Sequence, residues 1–539
     1  MTPAHPTALE QIYPLCRRVL GAEGWARLAA ECEPDAPEEL GLVAAARREA
    51  LGLPTYLPEL AALEWARRAV SGAEVEFPAE VDSFEVNPTL DVQHLSWRLT
   101  PLLDVAADEP LPEPQRGEEW ALLWREPRSG EGRAAAASQA DLLAVKLAVE
   151  EITPERAAEM GGVAVHVIDE ALAAAADKGL LLAPPSRLVR DTRAFPDGPR
   201  TPDRHTVVHL FTLQWHITQV CDLHCKHCYD RSDRSAMSLE QGLRILRDLR
   251  AFCRDRRVGQ HVCFTGGNPL MHPDFPALYR AAAEQGAVTS VLGNPAPRRQ
   301  IEQLLEVGPL RYFQVSLEGL RAHNDDIRGP GHFDRTMEFL DVLRELGVNS
   351  AVMLTLTADN VDQVLPLAEL LRGRADYFTF NRLSPVGEGA HMHVPSRERY
   401  AAFLEDYVEA SLSNPIMGLK DNLINIVLER RGMEAFGGCT GFGCGAAFNF
   451  LAVLPDGEAH ACRKFPSPVG NVLEQGIASA YDGEPAARYR LGAAACAGCR
   501  LRPVCGGCLA SARGFGLDIF AEKDPMCFLD GAAQPESRP

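Results

Sequence analysis

The chain has 539 residues, 46% hydrophobic and 24% charged, a composition of folded globular protein at a length that exceeds one hydrophobic core. Its formal net charge of −20 withholds the basic footprint that displaces counterions from phosphate, so a general nucleic-acid binder is disfavoured. No basic-then-apolar opening segment and no bilayer-length apolar run is visible, so a cytoplasmic chain with no membrane partner is expected; in that compartment its fifteen cysteines point to metal binding or chemistry rather than to disulfides.

Residues 1–110 carry helical periodicity, as in ALEQIYPLCRRVLGAEGWARLAAECE, and are read as a helical N-terminal region ending in the Pro- and acid-rich connector DEPLPEPQRGEE. Next come two strand candidates, EWALLWREP and EGRAAAAS, then three helical segments, QADLLAVKLAVEE, TPERAAEMGG and VAVHVIDEALAAAADKG, and a closing LLLAPPSRLV. Residues 117–190 therefore resemble a winged helix. Its third helix sets Asp169, Glu170 and Asp177 against one Lys178, the wrong sign for DNA. The arrangement also resembles the small domain by which enzymes that modify ribosomal peptides hold a leader segment, which implies a leader adding a strand to an open sheet edge.

From about 205 the rhythm becomes strand, helix, strand, helix. The strands read HLFTLQWHIT, HVCFTG, VTSVLGN, RYFQVSLEG, NSAVMLTLT and DYFTFNRL, with helices such as LEQGLRILRDLRAFCRD, DFPALYRAAAEQG and HFDRTMEFLDVLRELG between them. The fold class expected is α/β, a partial (β/α)6 TIM-like barrel over 205–395 with function at the strands' C-terminal ends. A helical linker at 396–435, a Cys-rich extension at 436–530 and a disordered tail at 531–539 complete the order.

The first barrel strand runs into CDLHCKHCYD, which spaces Cys221, Cys225 and Cys228 as CxxxCxxC. Zinc normally takes four protein ligands in pairs, so a compact trio suits an iron–sulfur cubane with one open iron better. Cys16, Cys32, Cys253 and Cys263 lie singly in apolar surroundings and are read as small buried hydrophobes. The trio resembles the CxxxCxΦC loop of the radical S-adenosylmethionine (radical SAM) superfamily, with His227 at the usually aromatic place, where its ring would flank the adenine. That resemblance implies that the three thiolates hold a [4Fe–4S] cluster whose fourth iron is left to S-adenosylmethionine. FTGGNPL is similar to the family's turn at the methionyl amine: Gly266 and Gly267 allow close approach, Asn268 replaces the usual acid and offers an amide oxygen, and Pro269 follows. Asn294 in VLGNP is a candidate ribose contact. In VSLEGLRAHNDDIRGPGHFDRT, Ser316 and Glu318 match the family's strand-end polar positions, and Arg328 matches the arginine expected near the cofactor carboxylate.

Further along, Cys444, Gly457 and Cys462 precede CAGCRLRPVCGGC and DPMCF, a spacing that resembles the SPASM extension of peptide-modifying radical enzymes. Carried over, the family's ligation assigns one auxiliary [4Fe–4S] cluster to Cys439, Cys444, Cys462 and Cys508 and another to Cys496, Cys499, Cys505 and Cys527, three clusters in all; structural zinc is the alternative. Sulfatase-maturing relatives place an aspartate after the Gly-x4-Cys cysteine, whereas this chain has Arg463 and Lys464, a poor base. The resemblance implies a peptide maturase. A flavodoxin- or ferredoxin-type donor reduces the first cluster, and a 5′-deoxyadenosyl radical then abstracts hydrogen from a leader-bearing ribosomal precursor peptide. A thioether crosslink at Cys (or Sec) is the expected product, and the layout looks like maturases of selenobiotic peptides. Oxidative carbon–carbon coupling or decarboxylation in cofactor biosynthesis, and a non-catalytic iron–sulfur peptide-binding scaffold, stand as alternatives.

Overall fold

The computed structural model describes residues 8–529 apart from 34–35, 79, 107, 128, 164 and 197–200, so the tail expected at 531–539 lies outside the described residues. The chain divides into two units, residues 1–185 and 186–539. Among the described residues no helix is long and apolar enough to cross a membrane.

In the first unit, helices α1 (Ala8–Ile12), α2 (Pro14–Ala29), α3 (Leu40–Leu51) and α4 (Leu57–Ser71) pack their apolar faces around Tyr13, Trp25, Leu57 and Leu60. Glu64 of α4 accepts the backbone N–H groups of Leu15 and Cys16 at 2.7 and 2.9 Å, which satisfies donors left open by the first turn of α2. The helical region expected to run to residue 110 ends at Ser71. Beyond α4 the chain forms β1 (Glu85–Val86) and β2 (Asp91–Arg98), followed by β3 (Gln115–Arg125) and β4 (Gly132–Ala136). Strands β2, β3 and β4 make an antiparallel three-stranded sheet in that order. Strand β2 escaped the sequence reading because its less exposed positions, Asp91, Gln93, Leu95 and Trp97, mix polar with apolar residues and leave no period-two signal.

Helices α5 (Gln139–Val149), α6 (Pro154–Gly161) and α7 (Val165–Asp177) follow, then β5 (Leu181–Leu182). The closing strand exists, but its partner is β1 rather than β3 or β4. Leu122 and Trp124 of β3 pack with Ala144, Leu147, Ile168 and Leu172 of the helices, so one face of the sheet is covered by α5 and α7.

In the second unit the six expected strands are present: β6 (Leu210–Thr218), β7 (Gly259–Gly266), β8 (Val288–Leu292), β9 (Leu310–Ser316), β10 (Ser350–Leu356) and β11 (Tyr377–Arg382). Each pairs in parallel with the next. Helices α8 (Leu239–Asp255), α9 (Phe275–Glu284), α10 (Arg298–Leu305), α11 (Arg321–Arg328), α12 (His332–Glu345) and α13 (Val364–Leu371) supply the crossovers. Helix α8 shows how: Ser238 and Gln241 close a capping box at its start. Ile245, Leu246, Leu249 and Phe252 then form a buried stripe in the cluster that holds Trp215 and Phe264. A Cβ at Gly242 would sit 2.5 Å from Leu278 and 3.3 Å from Trp215, so only glycine lets the helix lie that close.

Helices α14 (Arg397–Ser411) and α15 (Ile424–Arg430) fill the linker, and β12 (Phe450–Val453), β13 (Glu458–His460), β14 (Pro468–Asn471), α16 (Val472–Asp482), α17 (Glu484–Leu491) and α18 (Leu509–Gly514) build the Cys-rich region. That region is not a separate bead. Strand β12 pairs in parallel with β6, and the β12–β13–β14 meander extends the barrel sheet to nine strands.

Candidate active site and metal centres

The C-terminal ends of all six barrel strands open on one cavity of about 690 Å3, lined by Thr218, Gly266, Leu292, Ser316, Thr355 and Asn381 among others. Cys221, Cys225 and Cys228 lie on its wall. The loop that carries them is held from several sides. Gly266 has φ +128, and a Cβ there would overlap the carbonyl oxygen of Thr218, as one at Gly267 would overlap that of Val220; the glycine pair lets the end of β7 press against the segment that delivers Cys221. Below the loop, Lys226 N–H donates to Ile327 O at 3.1 Å and Glu388 N–H to Cys228 O at 2.9 Å.

Electrostatics centre on Glu318, which is 1% exposed. Its Oε1 accepts from Arg328 Nε at 2.8 Å and from the second guanidinium nitrogen at 2.6 Å, and its Oε2 accepts from Thr355 N–H at 2.8 Å. His227 Nε2 stands 2.9 Å from the same Oε1, off the line of a hydrogen bond. Burial pushes the Glu318 carboxyl up, but the charges of His227 and Arg328 outweigh it and hold it far below the usual carboxylate range. The remaining Arg328 nitrogen approaches Cys225 Sγ at 3.7 Å. Burial raises the Cys225 thiol against the pull of Arg328.

His227, Gly266, Gly267, Asn294, Ser316 and Arg328 all line the cavity. Three expected contacts do not. Asn268 is 6% exposed; its Nδ2 donates to Asp222 Oδ1 at 3.0 Å and its Oδ1 accepts from Leu270 N–H at 3.3 Å, so the amide oxygen expected to face the cavity is spent on capping the turn. Pro269 starts that 3-10 turn and is buried. Glu318 lies behind Arg328 and His227 and acts through them. Asn294 does reach the wall, with Nδ2 donating to Asp222 Oδ1 at 2.6 Å and 3.5 Å from Cys221 Sγ.

The eight later cysteines sort into two small cavities. Cys439, Cys444, Cys462 and Cys508 line one of about 50 Å3, together with Lys420 and Lys464. Cys496, Cys499, Cys505 and Cys527 line another of about 30 Å3, together with Asp524. Burial pushes the Cys462 thiol up to about 12 and the Cys496 thiol up to about 11. Backbone bonds fix these groups: Cys444 N–H donates to Cys505 O at 2.9 Å, and Cys508 N–H to Asp524 Oδ2 at 2.8 Å. Arg190 of the preceding segment donates to the carbonyls of Phe442 and Cys444 at 2.9 and 3.1 Å.

Comparison with known proteins adds what geometry leaves open. Residues 215–371 match the radical SAM superfamily, and residues 444–508 match SPASM, an iron–sulfur cluster-binding domain. The chain carries a radical SAM domain followed by a SPASM domain. This radical SAM enzyme is 33% identical to Fe-coproporphyrin III synthase of Methanosarcina barkeri over 33% of its own length and 45% of that protein's, so it spans less than half of that relative. It is 29% identical to mycofactocin maturase MftC of Mycolicibacterium smegmatis over 60% of its length and 83% of the relative's. Streptococcus suis SuiB bound to precursor peptide SuiA aligns over 76% of this chain and 96% of its own, with a TM-score of 0.48 and 16% identity.

The donor sets of this radical SAM protein fit the groups the family implies. Each small cavity is ringed by four thiols, a set suited to a tetrathiolate cluster, while the large cavity has three thiols beside open space. Its volume falls within the ~300–1,000 Å3 of small-molecule sites. The sequence reading missed Asp222, which joins Asn268 to Asn294, and Tyr229, whose hydroxyl stands 3.3 Å from His216 Nε2. Asp222 lies inside the three-cysteine motif, which was the one signal available. His216 is 1% exposed, and burial lowers its ring pKa to about 3, so it is neutral.

Proposed function

We propose that this radical SAM/SPASM chain is a maturase of a ribosomally made precursor peptide and forms a thioether crosslink at Cys or Sec. The observation that carries the radical reading is the three-thiol loop on the wall of the cavity into which all six strands open. When bound there, a [4Fe–4S] cluster reduced by a flavodoxin- or ferredoxin-type donor supplies the electron that splits the sulfonium of S-adenosylmethionine into methionine and a 5′-deoxyadenosyl radical. Cys221, Cys225 and Cys228 would hold that cluster. Arg328, fixed by Glu318, keeps a positive charge beside Cys225, and His227, Asn294 and Ser316 offer ring, amide and hydroxyl contacts to the nucleotide. The six strand ends would line the space around the reacting carbon.

Two further [4Fe–4S] clusters would sit on Cys439, Cys444, Cys462 and Cys508 and on Cys496, Cys499, Cys505 and Cys527. A peptide leader would add a strand to one of the sheet edges that β2 and β4 leave in the first unit. The similarity to a protein named a maturase supports the peptide reading. The similarity to Fe-coproporphyrin III synthase favours a second one, oxidative coupling or decarboxylation in cofactor biosynthesis.

Anaerobic reconstitution of the full chain with S-adenosylmethionine and dithionite tests the radical step: 5′-deoxyadenosine is expected from the parent and none from Cys225→Ala. Loaded clusters without that product would favour a scaffold. With a precursor peptide encoded nearby, a mass loss of two hydrogens marks a crosslink, and loss of carbon dioxide marks the second reading.

A further inference from the structure

Lys420, Arg463 and Lys464 stand out because the chain has carboxylates in excess, 74 against 54 basic residues, yet none of the three has a hydrogen bond or ion pair to a carboxylate among the described residues. Of the other basic side chains of the large cavity, Arg231 donates to the Cys225 carbonyl at 2.9 Å and three are matched by carboxylates. Arg328 is held by Glu318, Arg382 by Asp421 and Asp524, and Arg234 by Asp456 and Glu458. An unpaired, partly buried cation loses hydration without a return, so a fold keeps one where a ligand supplies the return.

The three differ in what they face. Lys420 lines the four-thiol cavity of Cys439 and Cys444, and Lys464 lines both that cavity and the large one, so a thiolate cluster accounts for their charge. Arg463 lines the large cavity alone. Its charge bears on His216 and Tyr229 near the three-thiol loop and on Cys263 and Tyr312 of β7 and β9, and none of these is a carboxylate. A guanidinium is the side chain whose fork fits a carboxylate with two parallel hydrogen bonds.

The geometry points to Arg463, backed by Lys464, as the seat of a substrate carboxylate, from either an acidic side chain or the C-terminus of a peptide, held in the cavity that also receives the nucleotide. This rests on the radical-enzyme reading above and adds to it the charge of the group the substrate brings. It also explains why a cation follows Cys462: the residue grips an anion and takes no proton.

The test uses the reconstituted full-length enzyme saturated with S-adenosylmethionine and without reductant, with ligand-observed NMR to follow three probes. N-acetylglutamate methylamide carries a side-chain carboxylate, N-acetylalanine a terminal one, and N-acetylglutamine methylamide none. At least one carboxylate probe is expected to bind tenfold or more tightly than the neutral probe, and the tighter of the two names the source. Arg463→Met should abolish that preference, while Arg463→Lys and Lys464→Gln should keep a reduced one; these two also serve if the methionine variant does not fold. Equal binding of all three probes, a preference that survives Arg463→Met, or a preference seen in a parallel sample without S-adenosylmethionine and lost on its addition would overturn the assignment, the last because Arg463 would then serve the nucleotide. Production of 5′-deoxyadenosine by the unaltered enzyme is scored separately. If cleavage is present and the preference absent, the carboxylate seat fails and the radical reading stands; the reverse result fails the radical reading alone.

Discussion

Glu318 shows how much of the site depends on one residue set behind the cavity wall. It is 1% exposed and gathers Arg328, His227 and the Thr355 amide, so it fixes a guanidinium and an imidazole on the cavity wall. Glu318→Gln keeps the volume and removes the charge. It leaves buried Arg328 without its counter-ion, a change that costs about 3–5 kcal/mol, and chemical denaturation is expected to read a loss of that size. Binding of S-adenosylmethionine to the reconstituted variant, followed by equilibrium dialysis, is expected to weaken at least tenfold, because the Arg328 fork is no longer aimed. Equal stability and affinity would mean that Glu318 is a bystander. At this scale the sequence was readable where residue type and spacing carry the chemistry, as with Cys221, Cys225 and Cys228. It was not readable where direction decides: nothing in the letters says that Asn268 turns its amide toward Asp222, or that Glu318 stands behind Arg328 rather than on the cavity wall.

Single elements show the same division. Strands β6 to β11 were legible because their apolar runs alternate with helical segments, whereas β2 is a partly exposed strand with Asp91 and Gln93 at its less exposed positions. Helix α5 announces its start through Ser138 and Asp141, which form a capping box with Asp141 N–H donating to Ser138 Oγ at 3.1 Å. Lys178, just past α7, then donates to Asp141 Oδ1 at 2.7 Å, so one carboxylate starts α5 and ties it to the end of α7. Ser138→Ala is expected to cost about 1 kcal/mol. Burial pushes the Asp141 carboxyl up, but the bonds from Lys178 and Ser138 win and hold it below its ordinary 3.8. A carboxyl lowered by folding contributes stability that is present above its unfolded pKa and lost as pH falls through the folded value. Hydrogen exchange of α5 and α7 amides in the full chain should therefore speed up as pH drops below about 4, after correction for intrinsic rates, and Asp141→Asn should flatten that dependence. A wild-type profile with no slope in that window would dissociate the carboxylate from the helix pair.

The whole second unit is tied together in ways that no single motif reveals, because pairing between distant segments leaves no local trace. Strand β12 lies in parallel beside β6, the strand that delivers the three-thiol loop, and Arg382 at the end of β11 reaches both Asp421 and Asp524 while Asp524 holds the amide of Cys508. The eight late cysteines interleave along the chain, yet they divide between two cavities, and this division makes a claim that single substitutions do not test. If four thiols serve one cluster, two losses within a set remove the same cluster twice, whereas one loss from each set removes two; the pairs are non-additive in one case and additive in the other. The fully loaded chain would hold about twelve irons, and Cys462→Ala or Cys505→Ala alone should lose about four. Cys462→Ala/Cys508→Ala should lose no more than either single change, and Cys462→Ala/Cys505→Ala should lose about eight, read by iron and sulfide analysis with Mössbauer spectra. Equal losses from both double variants would mean that the cavities do not define the ligand sets. Stoichiometric zinc in place of iron in the anaerobically purified parent would make both sets structural.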